Sequence, residues 1–199
     1  MVHPYSFPTF YFSYLSLFLV RITKVTTKGG DNGQTSLGDG ERVSKNHLRV
    51  HAMGAVDKLN SVIGWALSIA QSGIKDDLEK IQQDLFNLGG ELAISSGDQE
   101  ILKNTRLEWL EIESETINKE LPPLKEFILP GGSELSSRIH IARTECRDTE
   151  RTLVALGEVE AVPALQRHYL NRLSDYLFIL ARKVKNDEGS IEVPWDYTK

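Results

Sequence analysis

From Leu48 onward the apolar positions of this chain recur every three to four residues. Leu48, Ala52, Ala55, Leu59, Ile63, Ala66 and Ala70 fall on one stripe, with Gly73 as the expected C-terminal stop. Leu78, Ile81, Leu85, Leu88 and Leu92 mark a second stripe, and Leu107, Leu110, Ser114 and Ile117 a third. The third must end before Pro122 and Pro123, because a residue that precedes proline is pushed out of the helical region. Ser133 offers a side-chain oxygen to open a fourth helix, carried inward by Leu135, Ile139, Ala142, Cys146, Leu153 and Leu156 and closed at Gly157. Pro163 suits the first turn of a fifth, carried by Leu165, Tyr169, Leu173, Tyr176 and Leu180. The connection 121–132, with prolines at both ends, cannot be helical. With no alternating hairpin pattern outside a loop at Asn32, the chain is predicted to be all-α, a five-helix up-and-down bundle.

Two N-terminal segments do not follow the helical period. Residues 23–45 are rich in glycine and short polar residues and predict a loop, neither helix nor core strand. Before them, Tyr5, Phe7, Phe10, Tyr11, Phe12, Tyr14 and Phe18 crowd an almost uncharged stretch. Pro4, Pro8 and the serines interrupt it, and no basic residue precedes it, so it reads neither as a membrane span of about 20 apolar residues nor as a secretory signal. The domain boundaries expected are an N-terminal extension over 1–23, outside the fold, and one helical-bundle domain over 24–199.

Composition narrows the chemistry. At 199 residues, 40% hydrophobic and 26% charged, the chain can bury one substantial core. A net charge of -5 with no run of Lys or Arg gives no footprint for nucleic acid. Cys146 is the only cysteine, which excludes an internal disulfide and a cysteine-based zinc site and fits a reducing, cytoplasmic setting.

The glycine loop is compatible with phosphate binding, since closely spaced glycines let backbone N–H groups face an anion while Lys28 and Lys45 supply positive charge. A surface loop fits the same residues. It lacks the spacing of a P-loop and the strand-helix context of a dinucleotide fold. On helix four, Arg143, Arg147, Glu150 and Arg151 share one stripe, so three guanidinium groups are expected to converge on a triphosphate; a solvated, self-paired face is the plainer reading. Asn171, Arg172 and Asp175 interrupt the apolar run of helix five, as a site or as a helix-edge salt bridge. His47, His51, His140 and His168 lack metal-ligand spacing, and Trp65 and Trp109 read as core or interface anchors.

In order along residues 26–182, the segments TTKGGDNGQTSLGDGERVSK, LRVHAMGAVDKLNSVIG, QQDLFNLGGELA, LPPLKEFILPGGSE, HIARTECRDTER and YLNRLSDYLFILAR resemble the PduO-type ATP:cob(I)alamin adenosyltransferases. That resemblance implies a homotrimer of five-helix bundles with an active site at each subunit interface, acting on ATP and a reduced corrinoid with Mg2+ among the phosphates. It implies that Thr27, Lys28, Gly29, Gly30, Thr35, Ser36 and Lys45 close over the triphosphate, and that Arg147, Glu150, Arg151 and Asn171 complete the ATP site. Asp57 and Arg143 resemble an ion pair across the interface, Arg172 and Asp175 a supporting pair, and Phe127 a residue lining the lower axial face of the corrin. Lys28, Arg147 and Phe127 would carry the catalytic roles. Two positions depart from the family pattern: Asp148 replaces a second arginine, and Lys58 replaces a glutamate.

The activity implied is attack of Co(I) on the 5'-carbon of ATP with release of intact triphosphate. A corrinoid reductase and an adenosylcobalamin-dependent enzyme are implied as possible partners. A cobalamin carrier is the competing class, disfavoured by Lys28 and Arg147, which a carrier would not need. A ferritin-like di-metal bundle would require Glu-x-x-His pairs that are missing.

Overall fold

The computed structural model describes residue 26, residues 28–95 and residues 99–199. The expected N-terminal extension and Thr27 lie outside the described residues. Gly33–Lys199 form one compact unit that holds β1 (Gln34–Ser36), β2 (Arg42–Ser44), α1 (Leu48–Leu67), α2 (Ile74–Leu92), α3 (Asn104–Glu120), α4 (Glu134–Gly157) and α5 (Ala164–Asp187). Lys28, Gly29 and Gly30 belong to the preceding unit.

The helices follow the predicted stripes except at Leu48, which opens α1 and is exposed. Ala52, Leu59, Ile63 and Ala66 of α1, Leu78, Ile81, Leu85 and Leu88 of α2, Leu110 of α3, Ile139, Ala142, Cys146, Leu153 and Leu156 of α4, and Tyr169, Leu173 and Tyr176 of α5 are all fully buried in one core. Each large apolar side chain removed from water contributes about 1.5–3 kcal/mol, which is what holds helices of this length together in water. Leu135, Ala55, Leu107, Ser114 and Leu165 sit half-buried at the edges of their stripes.

Contacts at the two ends of each pair fix the directions. Arg49 and Asn60 of α1 bond to Leu92 and Gln82 of α2, so these helices are antiparallel. Thr149 reaches Ala55 and Arg138 reaches Trp65, which runs α4 against α1; Ser136 and Cys146 reach Ala181 and Leu170, which runs α5 against α4. Glu111 and Glu120 of α3 meet Arg172 and Lys183, so α3 runs with α5. The topology is therefore up-down-up-down-up.

Several polar groups inside the bundle are paired across helices. Tyr169 donates to Asp84 Oδ2 at 2.8 Å, and Arg106 Nε bridges both oxygens of that carboxylate at 2.9 Å while its guanidinium lies 4.5 Å from the Trp109 ring. Burial raises the Asp84 pKa more than its two donors lower it. Buried Arg49 ties three segments: its Nη1 donates to Leu92 O at 3.2 Å and its Nε to Glu160 at 2.8 Å, between α4 and α5.

Two expectations change. The first helix ends at Leu67, before Ala70, because Arg138 takes Trp65 O at 2.5 Å and Ser68 Oγ at 2.8 Å and satisfies the terminal groups from outside. Gly73 does not stop α1 but starts α2, as its N-cap with φ of 86°. The glycine-rich segment is also not all loop: Gln34, Thr35 and Ser36 pair antiparallel with Ser44, Val43 and Arg42. Three-residue strands flanked by glycine are too short to show an alternating pattern.

Candidate active site

The hairpin that carries Thr35 and Ser36 is fixed at its turn. Gly38 N donates to Ala93 O at 2.6 Å, and a Cβ at Gly38 would lie 3.1 Å from that same oxygen, so a larger residue would have to push the Ala93 carbonyl back by a few tenths of an ångström. At its open end Lys45 N donates to Gly33 O at 2.8 Å. Ser36 Oγ accepts from Arg42 at 3.2 Å; Thr35 is half-buried and Lys45 exposed. In the preceding unit, Lys28 adopts a left-handed φ of 59°, which a non-glycine residue holds only at a cost.

On α4 the three predicted arginines do not converge. Arg151 turns to Asp148 at 2.6 Å, three residues away on the same exposed face. Arg143 is half-buried, with its guanidinium 5.9 Å from the Phe178 ring and its Nε hidden without a partner. Burial, and then the charge of Arg147, push its pKa below the usual arginine value. Arg147 alone remains exposed and without a hydrogen bond or ion pair among the described residues. A free guanidinium beside a half-buried carboxylate is what a polyanionic ligand with a sugar hydroxyl can use.

That carboxylate is Glu150, and it belongs to a relay. Asn171 Nδ2 donates to Glu150 Oε1 at 3.0 Å, Arg172 Nη1 donates to Asn171 Oδ1 at 2.9 Å, and Arg172 Nε donates to Glu111 Oε1 at 2.9 Å. The chain of bonds crosses α4, α5 and α3 and orients the Asn171 amide. Arg172 therefore pairs with Glu111 and not with Asp175, which is exposed one turn further along α5. Within the chain, the pair that the resemblance implies gives way to a partner on the adjoining helix. Asp57 is exposed on α1 and does not meet Arg143 within the chain; Lys58 instead pairs with Glu145 of α4 at 2.6 Å. Cys146 is buried with its thiol donating to Leu170 O at 3.2 Å, and burial raises its pKa well above the usual value, so it offers no thiolate.

Phe127 stands 81% exposed on the connection between α3 and α4, where a core side chain would not be left. Its position is held by the C-terminal segment: Trp195 N donates to Phe127 O at 2.7 Å, Leu129 N donates to Val193 O at 2.8 Å, and the Trp195 ring meets Phe127 edge-on at 6.4 Å. Arg182 anchors both strands of this pairing through Pro122 O at 2.7 Å and Glu192 at 2.6 Å. Phe127, Ile128, Pro130, His140, Arg143 and Phe178 are among the residues lining a recess of about 350 Å³. Sequence reading missed Trp195, Glu192 and Arg182; an aromatic and a proline after the last helix were the only signal. Among the described residues, no group of three His, Cys, Asp or Glu is placed to hold a metal, and no helix is long and apolar enough to cross a membrane.

A family model described as cobalamin adenosyltransferase matches residues 25–184. A cobalamin adenosyltransferase from Cupriavidus metallidurans is 48% identical over 177 residues, which span 88% of this chain and 95% of the relative. A corrinoid adenosyltransferase from Bacillus subtilis is 44% identical over 179 residues, 87% of this chain and 92% of the relative. Among solved structures, a variant PduO-type ATP:corrinoid adenosyltransferase from Lactobacillus reuteri, complexed with cobalamin and ATP, superimposes with a TM-score of 0.83 at 36% identity, covering 87% of this chain and 97% of that one. This chain belongs to the cobalamin adenosyltransferase family.

Proposed function

We propose that this chain transfers the 5'-deoxyadenosyl group of ATP to the Co(I) of a reduced corrinoid. The observation that carries the reading is Arg147, a guanidinium exposed and without a partner among the described residues, one turn from the Glu150–Asn171 pair, in a chain whose residues 25–184 match the family. The Co(I) lone pair attacks C5' of ATP, the C5'–O bond breaks, and triphosphate leaves intact with the bonding electrons. No covalent nucleophile from the protein is required. Arg147, Lys28 and Lys45 stabilise the departing charge, while Thr27, Gly29, Gly30, Thr35 and Ser36 close over the phosphates through backbone and hydroxyl donors. Glu150, with its orientation set by Asn171, accepts from the ribose, and Arg151 completes the ATP site. Mg2+ arrives on the phosphates as part of the nucleotide substrate, since two or more phosphate oxygens and water suit it better than a dedicated side-chain cage.

Phe127 closes the lower axial face of the corrin. An aromatic ring there excludes water and the cofactor's own base, so the cobalt loses an axial donor and is reduced to Co(I) more easily. Its exposure supports this reading, because the ring fills no core space. A homotrimer is part of the proposal: among the described residues Asp57 has no ion-pair partner and half-buried Arg143 no carboxylate, so the two are expected to meet between subunits. Sedimentation should report three subunits, and Asp57→Ala should weaken assembly.

An anaerobic mixture of protein, ATP, Mg2+ and chemically reduced corrinoid tests the activity. Appearance of the cobalt–carbon product spectrum is expected; no product with any corrinoid would overturn the reading.

A further inference from the structure

Within the compact unit, the residues proposed to hold ATP come from two places: the β1–β2 hairpin with Lys45 just after it, and the α4–α5 pair with Arg147, Glu150 and Asn171. Arg49 stands between them. It is 5% exposed, in the first turn of α1, five residues after Ser44 closes β2. A cation at that end opposes the helix dipole, so α1 itself gives no reason for it. Its contacts do. Nε and Nη2 both donate to Glu160 Oε2, the first at 2.8 Å, which fixes the plane of the guanidinium. Nη1 is thereby aimed at the end of α2, where it donates to Leu92 O at 3.2 Å and Ile94 O at 3.4 Å. The last carbonyls of a helix lack partners within it, and α2 has no basic residue in its own last turn, so Arg49 supplies both donor and charge.

Between the two carbonyls that Arg49 holds lies Ala93, whose own carbonyl accepts from Gly38 N at the hairpin turn. The next residue along, Ser95, donates twice to Asp39 of the same turn. At its other end the hairpin runs through β2 into the start of α1, where His47 Nδ1 accepts from Arg49 N. The contacts close a ring: hairpin turn, end of α2, Arg49, start of α1 and back to the hairpin. Glu160 ties that ring to the connection between α4 and α5, and Glu91 braces it from the α5 side, accepting from Leu102 N and from Gln166 Nε2, each at 2.6 Å. An ion pair drawn out of water adds little net stability compared with apolar side chains of the same size, so what Arg49 and Glu160 contribute is the placement of these segments.

We propose that Arg49 is a positioning residue for ATP: held by Glu160, it sets the end of α2 on which the β1–β2 hairpin rests, and so places the hairpin for the nucleotide that α4 and α5 also hold. The inference rests on the ATP reading of the hairpin and of Arg147. Its test measures ATP affinity, Co(II) corrinoid affinity and melting temperature in Arg49→Lys, Glu160→Ala and Glu160→Gln, each alone and combined with Asp39→Ala. Lysine keeps the charge, but its single nitrogen cannot serve Glu160 and the α2 carbonyls together. Arg49→Lys and Glu160→Ala should each weaken ATP binding about three- to tenfold, the size expected for losing a hydrogen bond, with corrinoid affinity unchanged. Glu160→Gln, which still accepts, should recover part of the loss. Because Arg49 and Asp39 act on the same turn, each double variant should bind ATP no more than about twofold more weakly than the weaker of its two single variants, whereas independent sites would multiply their losses. Glu160→Ala, at a side chain 25% exposed, carries the same test should Arg49→Lys fail to fold. ATP affinity unchanged in the folded single variants would overturn the inference, and so would losses that multiply with Asp39→Ala, since those mark a route other than the shared turn. Failure of the wild type to bind ATP overturns the proposed function itself, and this inference with it.

Discussion

The carboxylate of Asp39, at the turn of the β1–β2 hairpin, accepts from both the backbone N–H and the hydroxyl of Ser95, at 3.0 and 2.5 Å. Together with the bond from Gly38 N to Ala93 O, this latches the hairpin to the end of α2. Asp39 is exposed, so it adds little to the core, but it sets where Thr35, Ser36 and Lys45 stand.

Asp39→Ala is therefore expected to raise the KM for ATP several-fold while leaving corrinoid affinity and the melting temperature close to wild type. The Ser95 hydroxyl is the main cause that lowers the Asp39 pKa from 3.8. A lowered carboxylate pKa makes the latch fully present above that ordinary value and lost only as pH falls through the lower folded value, so ATP affinity should not change through Asp39 between pH 6 and 8. Titration of ATP binding across that range, in wild type and variant, checks both statements.

Arg147→Ala should impair ATP use far more than Asp148→Ala. A guanidinium on phosphate contributes charge-assisted bonds of about 1.5–3 kcal/mol, a factor of roughly 10 to 150 in kcat/KM. Asp148 pairs only with exposed Arg151, a surface contact of small worth. Equal, small effects of both substitutions would move the triphosphate away from α4.

The helices were legible because each stripe repeats over several turns, so no single misplaced residue hides the period. Their polar partners were not. The resemblance pairs Arg172 with Asp175, but within the chain the ion pair goes to Glu111 on α3, and only packing decides which carboxylate is nearer. The same holds for Arg143, Arg147 and Arg151: one stripe places their Cα atoms together, while Asp148 and Phe178 draw two of the side chains elsewhere. Phe127 was identified through a resemblance carried by its proline-bounded segment; its support by Trp195, 68 residues later and beyond the last helix, has no periodic signal.

Phe127→Ala should leave folding and ATP affinity unchanged, because an 81% exposed ring contributes little to the core. The spectrum of bound Co(II) corrinoid should lose its four-coordinate signal, and turnover should fall with it. Trp195→Ala should produce a weaker version of the same change, since the Trp195 ring supports Phe127 edge-on at 6.4 Å. A normal four-coordinate signal in Phe127→Ala would refute the axial role.

Thermal stability should fall on acidification through His140. Its folded pKa of about 4 lies below the ordinary 6.5, so the unfolded chain binds the proton first. The stability held by the neutral ring is fully present above about pH 6.5 and declines as pH drops toward 4. Toward the acid end of that window the melting temperature of wild type should fall relative to that of His140→Phe, and parallel curves would show that another group controls the decline.

Intact departure of the triphosphate is the most direct test of the proposed transfer. In an anaerobic turnover with limiting reduced corrinoid, adenosylcorrinoid and tripolyphosphate are counted together, by spectrum and by anion chromatography. One tripolyphosphate per adenosylcorrinoid, with no diphosphate or phosphate formed in step, is the expected result. Release of ADP and phosphate, or corrinoid bound without any cobalt–carbon product, would contradict it.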